Sequence, residues 1–425
     1  MKDLLLRLSC LLAWTLAATA CQAHPVDPAD IPPEGQPLAA PTARQWNREV
    51  VAGWNLGNQF ECPATGMDAE SFEIGNPAGA DQAETAWGNP VVTKRVIKAV
   101  RDAGFNAIRI PVRWQHHIVN PAAMSVSKPW MKRIREVVDW CLAYDLKVII
   151  NTHHEKWLEG RPLYAHQAEN CQKLALLWMN IATEFKDYDY RLAFAGTNEV
   201  HVRDNWGKPT AENLAVQNAY NQTFIDIVRA TGGNNARRHL IVQTYVCNAD
   251  FGLYDGDFII PRDSEGNGND YMSVEFHYYN PWDYCGSGQY YYWGEPYKAF
   301  GASPSDEAVL TRFFDTVDRE WGGQGLGVLI GEWGVTDHYK ASEADRIHEG
   351  MTYYCRFLVS EARKRGFSTF VWDNSAFGNG EEKFGIFDRK KGMAVKAGWI
   401  LEGIREGAKP PTHPRCNKNH KNNLN

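Results

Sequence analysis

"RLAFAGTNEV", residues 191–200, opens like the interior of a protein and closes like its chemistry. Leu192, Ala193, Phe194 and Ala195 read as a short apolar strand, yet the run ends in Asn198 and Glu199. "LGVLIGEWG" at 326–334 has the same shape and carries Glu332. Apolar, β-branched runs without alternation mark strands covered on both faces, as in a parallel sheet. Such a strand closes on a carboxylate where its end opens on a cleft.

Six further runs share the pattern: "VVAGWNLGN" (50–58), "FNAIRIPV" (105–112), "KVIINTHH" (147–154), "HLIVQTYVCN" (239–248), "YMSVEFHYYN" (271–280) and "FSTFVWDNSAF" (367–377). Helical periodicity lies between them. Trp130, Ile134, Val137 and Cys141 fall on one face of 128–145, and 165–185, 211–230, 305–321 and 342–365 look similar. The connection 249–270 is rich in Gly, Asp and Asn, which predicts a short helix or none. Eight β-then-α units predict an α/β protein with a closed (β/α)8 TIM barrel, its active site at the strands' C-terminal ends. An open doubly wound sheet is the alternative, but no Gly-rich phosphate fingerprint follows the first strand.

The chain has 425 residues, 44% apolar and 23% charged, with a formal net charge of −6. That balance suits one large soluble domain and argues against nucleic acid or an anionic membrane as the main partner. Of the 16 Trp, 18 Tyr and 18 Phe some must be core, but aromatic faces on a hydrophilic protein also suit stacking on flat ligands. Residues 1–23 read as an export signal: Lys2 and Arg7 flank an apolar run, Leu8 to Ala20, too short for a membrane span. "ATAC" ending at Cys21 resembles a lipobox, with Ala18 where Leu is usual, while "CQA" ending at Ala23 suits an ordinary signal peptidase. The expected location is therefore periplasmic, secreted, or cell-surface with a lipid on Cys21. Residues 24–44 hold six prolines and read as a linker, 45–408 as the catalytic domain of a monomer, and 409–425 as a disordered tail.

Nine cysteines are scattered without a CxxC or zinc spacing. They are expected to be buried small hydrophobes plus one or two bridges. No cofactor and no metal are implied. "HHE" at 153–155 lacks an HExxH spacing, and adjacent strand residues point to opposite faces. "DSEGNGND" (263–270) begins like a calcium loop, but its twelfth position is Val274, so a solvated loop is expected. The aromatic run "GQYYYWGEPY" (288–297) either walls the cleft or packs a long loop.

The polar strand endings collect on one rim: Arg109, His153 and His154, Asn198 and Glu199, His277 and Tyr279, Glu332, and Trp372. Two facing carboxylates without a nucleophilic Ser or Cys motif suit cleavage of an acetal, which needs a proton for the leaving oxygen and a nucleophile or activated water at the anomeric carbon.

Eight short motifs then make the match specific: "GWNLGN" (53–58), "ETAWGNP" (84–90), "AGFNAIRIPVRW" (103–114), "NTHHE" (151–155), "TNEV" (197–200), "HYYNP" (277–281), "GEWG" (331–334) and "VWDN" (371–374). In order and content the chain resembles retaining glycoside hydrolases of family 5, in the cellulase and xyloglucanase branch, over roughly Trp54 to Trp399. The resemblance implies an endo-β-1,4-glucanase acting on cellulose-like chains, or on xyloglucan, mixed-linkage β-glucan or glucomannan by the same mechanism; a non-catalytic carbohydrate-binding barrel is the contrasting reading. It further implies Glu199 as acid/base and Glu332 as nucleophile. Asn198 would bind the sugar 2-hydroxyl, Tyr279 and Arg109 would attend Glu332, and His277 would attend Glu199. His153 and, less directly, His154 would bind sugar hydroxyls, and Trp372 would floor the subsite. Val200 departs from the family, which usually has Pro there.

Overall fold

The computed structural model describes residues 39–75, 83–253, 258–338 and 340–410. The export signal, most of the Pro-rich stretch and the tail from 411 lie outside the described residues.

The eight strands are β1 (Gly53–Leu56), β2 (Ala107–Ile110), β3 (Lys147–Asn151), β4 (Leu192–Ala195), β5 (Leu240–Gln243), β6 (Met272–Tyr278), β7 (Gly327–Trp333) and β8 (Ser368–Asp373). All pair in parallel and close in sequential order, β1 bonding both β2 and β8. Helices follow the expected runs: Lys128–Ala143, Tyr164–Glu184, Ala211–Ala230, Glu307–Glu320 and Ala344–Lys364. Trp130, Ile134, Val137 and Cys141 are all buried on one face of the first of these. Among its described residues the fifth connection holds one short helical turn, Asp250–Leu253. Two helices not singled out from periodicity, Lys94–Asp102 and Gly398–Gly407, complete the outer ring.

The strands bury both faces because the helices cover the outside and side chains fill the inside. The lower interior layer is apolar: Ala107, Ile149, Ala193, Ala195, Ile241, Leu329 and Phe370. Gly53 is needed there, since a Cβ on it would lie 2.4 Å from the Phe370 ring. Below it, a helix over Ala43–Glu49 caps the barrel floor, inserting Trp46, whose indole N–H donates to Tyr190 O (3.0 Å). Thr42 starts that helix with a reciprocal capping box to Gln45. The expected linker through Arg44 is corrected accordingly: Ala43 and Arg44 are already helical, because the barrel floor needs a plug.

One further expectation fails. Among the described residues all six cysteines (Cys62, Cys141, Cys171, Cys247, Cys285 and Cys355) are free thiols, and five of them are buried. They are packed as small apolar groups, and the expected bridges are absent there. The run 288–297 mostly packs its loop: Tyr292 and Trp293 are buried, Trp293 against Tyr353, Tyr354 and Phe357. In 263–270, Asp263 is buried and paired with Arg229 (2.9 Å), so its carboxylate is a structural anchor.

Candidate active site

Above the apolar layer the barrel interior turns polar, with Asn55, Arg109, Gln243 and Glu275 all fully buried. Arg109 links this layer to the rim. Its Nη1 donates to Glu332 Oε1 (2.9 Å) and Asn55 Oδ1 (3.1 Å), and its Nη2 donates to Asn198 Oδ1 (2.7 Å). Its Nε faces Glu275 Oε1 at 3.0 Å. Leaving a buried charge unpartnered costs about 3–5 kcal/mol, so the acceptors around the guanidinium are what permit it there.

Glu332 reaches the interior through a register shift. Its strand pairs Ile330 with Phe276 but Glu332 with His277, and Ile330 with Thr369 but Trp333 with Val371. β7 therefore carries one extra residue against both neighbours. Leu329 faces the interior and Ile330 the helices. Strict alternation would send Glu332 outward; the bulge turns it in, as bulges do beside active sites.

Glu199 follows β4, with Oε1 2.5 Å from His277 Nδ1. The Tyr279 hydroxyl donates to Glu332 Oε2 (3.3 Å). One carboxylate oxygen each from Glu199 and Glu332 and a His277 ring nitrogen all lie within 4.8 Å of one another. Such a trio resembles a metal-ligand set, but Arg109 and His277 already neutralise both carboxylates, which leaves little attraction for a dication. The two carboxylates differ in access: the Glu199 side chain is 21% exposed, that of Glu332 only 7%. Burial raises the Glu332 pKa above the ordinary carboxylate value, against the His277 and Arg109 cations, which lower it. Burial alone would lower the pKa of His277, but Cys247, Glu332 and Glu199 hold it well above the imidazole range. Tyr279 is raised well above the phenol value by burial and by Glu332 and Glu199, so it remains a donor.

The hydrogen-bond network orients His153. Val112 N donates to Asn151 Oδ1 (3.1 Å), so the Asn151 amide nitrogen points at His153 Nδ1 (3.0 Å). Its Nε2 faces the site, 3.8 Å from Glu332 Oε1 and 3.4 Å from the Asn198 amide nitrogen, whose oxygen is taken by Arg109. Burial lowers the His153 pKa well below the ordinary value, so the ring is neutral. His154 turns away, 3.4 Å from Glu159. The sequence reading placed the two rings on opposite faces; they lie 4.5 Å apart instead, because both sit beyond the end of β3. Glu155, the third residue of that trio, accepts from Trp114 N (2.6 Å) and is structural. Trp372 lies parallel to His153 (5.8 Å, 8°) and packs over Gly57, where a Cβ would come within 2.8 Å of the indole. We predict that Trp372→Ala raises KM about tenfold, the loss of one stacked ring. The melting temperature should barely move, and steady-state kinetics with thermal denaturation checks both.

Val200 leaves Glu199 in place. It is buried in the core, and its carbonyl accepts from Val246 N (2.9 Å) while His201 Nδ1 donates to Glu199 O (2.5 Å). These bonds hold the turn without Pro.

Several site residues escaped the sequence reading. Cys247 follows β5 and, like Val246, has left-handed backbone (φ 50° each), which aims its thiol at Asn198 O (3.2 Å) and His277. Glu275 carried a signal: it lies two residues before His277, hence on the same strand face. Three exposed tryptophans extend the aromatic surface beyond Trp372. Trp87 stands edge-on to His154 (6.2 Å), Trp206 stacks on His201 (3.9 Å) and Trp282 is edge-on to Tyr279 (6.3 Å).

The loop after β1 is bound down across its neighbours. Arg113 donates to Ala69 O (2.9 Å), Gln115 Nε2 to Ser71 O and Glu73 O (2.7 and 2.6 Å), and Arg203 to Glu70 O. Phe72 packs against the guanidiniums of both Arg161 and Arg203, at 3.7 and 4.2 Å from its ring centre.

Comparison with known proteins agrees with this geometry. A family model described as cellulase (glycosyl hydrolase family 5) matches residues 67–378. Endoglucanase B of Clostridium cellulovorans is 35% identical over 354 residues, 82% of this chain and 72% of the relative. A broad-specificity endoglucanase structure from Clostridium longisporum superimposes with a TM-score of 0.75 at 30% identity, covering 87% of this chain and 99% of that one. A family 5 xyloglucanase from Paenibacillus pabuli gives 0.75 at 33% identity, covering 86% and 100%. With its barrel, its paired carboxylates and these relatives, the chain belongs to glycosyl hydrolase family 5.

Proposed function

We propose that this endo-β-1,4-glucanase cleaves internal bonds of β-glucan chains by double displacement, with Glu332 as nucleophile and Glu199 as acid/base. The carboxylate spacing carries the reading. Retaining enzymes hold the two groups about 5–5.5 Å apart, whereas inverting ones need roughly 6.5–9.5 Å to admit a water. One oxygen of Glu199 and one of Glu332 lie within 4.8 Å of each other, an approach that suits the closer pair. In the first step Glu199 protonates the leaving oxygen while Glu332 attacks the anomeric carbon; in the second Glu199 takes a proton from the water that displaces Glu332. Asn198 and His153 serve sugar hydroxyls beside the nucleophile, and Trp372 floors that sugar. Trp87, Trp206 and Trp282, on the loops after β1, β4 and β6, offer stacking surfaces for further sugars, which supports action within a chain.

The decorated glucan xyloglucan is the second reading, favoured by the likeness to the Paenibacillus pabuli xyloglucanase. An exported enzyme, with or without a lipid on Cys21, belongs to the same proposal and is supported by the N-terminal sequence. The test is reducing-sugar release from carboxymethyl cellulose, barley β-glucan, xyloglucan and glucomannan, with the first-formed anomer read by proton NMR. We expect β-anomer and the highest rates on the undecorated β-glucans. A preference for xyloglucan would move the substrate and keep the mechanism; first-formed α-anomer would overturn double displacement.

A further inference from the structure

Beneath the two catalytic carboxylates lies a third. Glu275 is fully buried on β6, with Oε1 3.0 Å from Arg109 Nε and 3.6 Å from His277 Nε2. Its Oε2 accepts from Gln243 Nε2 (2.7 Å), and Gln243 Oε1 in turn accepts from Thr197 N (2.9 Å) at the base of the Asn198–Glu199 turn. The neighbouring strand makes room for it. A Cβ on Gly331 would fall 1.7 Å from Glu275 Oε1, so the residue before the nucleophile is bare where this carboxylate stands. The contacts to Arg109 Nε and His277 Nε2 lack hydrogen-bond geometry, so they act through charge.

We propose, resting on the roles assigned above, that Glu275 is a positioning residue of the reaction. It holds Arg109 and His277 from below so that the guanidinium addresses Glu332 and the imidazole addresses Glu199. Arg109 meets Glu332 with Nη1 and Glu275 with Nε, while His277 meets Glu199 with Nδ1 and stands with Nε2 3.6 Å from both Glu275 and Glu332. Two cations at this depth would repel each other and overcharge the nucleophile; the third carboxylate balances them. Burial would raise the Glu275 pKa, but Arg109 and His277 overcome that and hold it below the ordinary carboxylate value, so it stays an anion. The charged or titratable groups facing His277 are Arg109 from β2, His153 after β3, Glu199 after β4, Cys247 after β5 and Glu332 from β7.

The sign of the expected effect follows. An anion beside Glu332 resists its ionisation, and the same anion favours the His277 cation. In Glu275→Gln, which keeps shape and removes charge, the acid limb of kcat/KM and the alkaline limb should both move to lower pH. The shift should be on the order of one pH unit for a charge this close in a buried site. At the parent's optimum kcat should fall more than tenfold, with KM little changed. Glu275→Asp, shorter but still charged, should recover limb positions better than rate. Gln243→Leu is the second probe, should the first variant not fold: it releases Oε2 and should lower kcat in the same direction. Folding is checked by circular dichroism, and rates are measured on the parent's best substrate. Parent-like limbs and kcat in a folded Glu275→Gln would overturn the proposal, as would a loss of rate with unmoved limbs, which a merely structural role produces. Turnover surviving in Glu332→Gln would instead strike at the underlying roles, so the two failures are distinguishable.

Discussion

Glu332→Gln is expected to lose turnover by on the order of 10⁴-fold or more, the scale on which removing a nucleophile acts. The amide preserves shape and can still meet Arg109 and Tyr279, but it cannot form the glycosyl ester. Sugar binding should persist, because Trp372, Asn198 and His153 are untouched; calorimetric titration with cellotetraose would show it. The parent's pH profile carries a linked expectation. Kcat/KM rises with pH as Glu332 ionises, and burial places that acid limb above the ordinary carboxylate range. Undiminished hydrolysis by the variant would remove Glu332 from the nucleophile's role.

The second large effect is at Glu199. Glu199→Ala should slow hydrolysis of natural glucans about 10²- to 10⁴-fold, the worth of a positioned proton donor. The loss should shrink for an aryl cellobioside with a good leaving group, since that oxygen departs without a proton. The glycosyl-enzyme then accumulates, because no base activates water. Azide needs no base, and the 21% exposure of the Glu199 side chain leaves its position reachable from solvent once the carboxylate is gone. We expect azide to restore turnover and to yield the β-glycosyl azide. An α-azide would mean that the nucleophile had been removed instead, reversing the two assignments.

Much of this was legible in the sequence because a parallel barrel buries its strands completely. A polar residue at the end of an apolar run has few reasons to be there, and Arg109, Asn198, Glu199, His277 and Glu332 all proved to converge. Glu332 is instructive. Counted by alternation from Leu329 it belongs outside; its place at the end of the apolar run, and then the family motif, put it on the rim, whereas the bulge that turns it inward shows in pairing register and not in the composition of one strand. Glu275 was missed for the opposite reason. It sits mid-strand, where a carboxylate looks like an error in an apolar run, although its two-residue spacing from His277 put it on the active face. Cys247 gave no signal, because its place depends on two successive left-handed residues that a Val-Cys pair does not announce. The misjudged bridges reflect export chemistry read onto cysteines that packing alone explains.

The fastening of the first loop bears on how such an enzyme could change its diet. Phe72, gripped by Arg161 and Arg203, ties that loop to segments after the third and fourth strands, and Arg113 and Gln115 tie it to the second. Four neighbouring loops therefore form one upholstered half of the rim. Transplanting any one of them from a relative would tear out the others' stitching, so new preferences should arise there by exchange of that whole half.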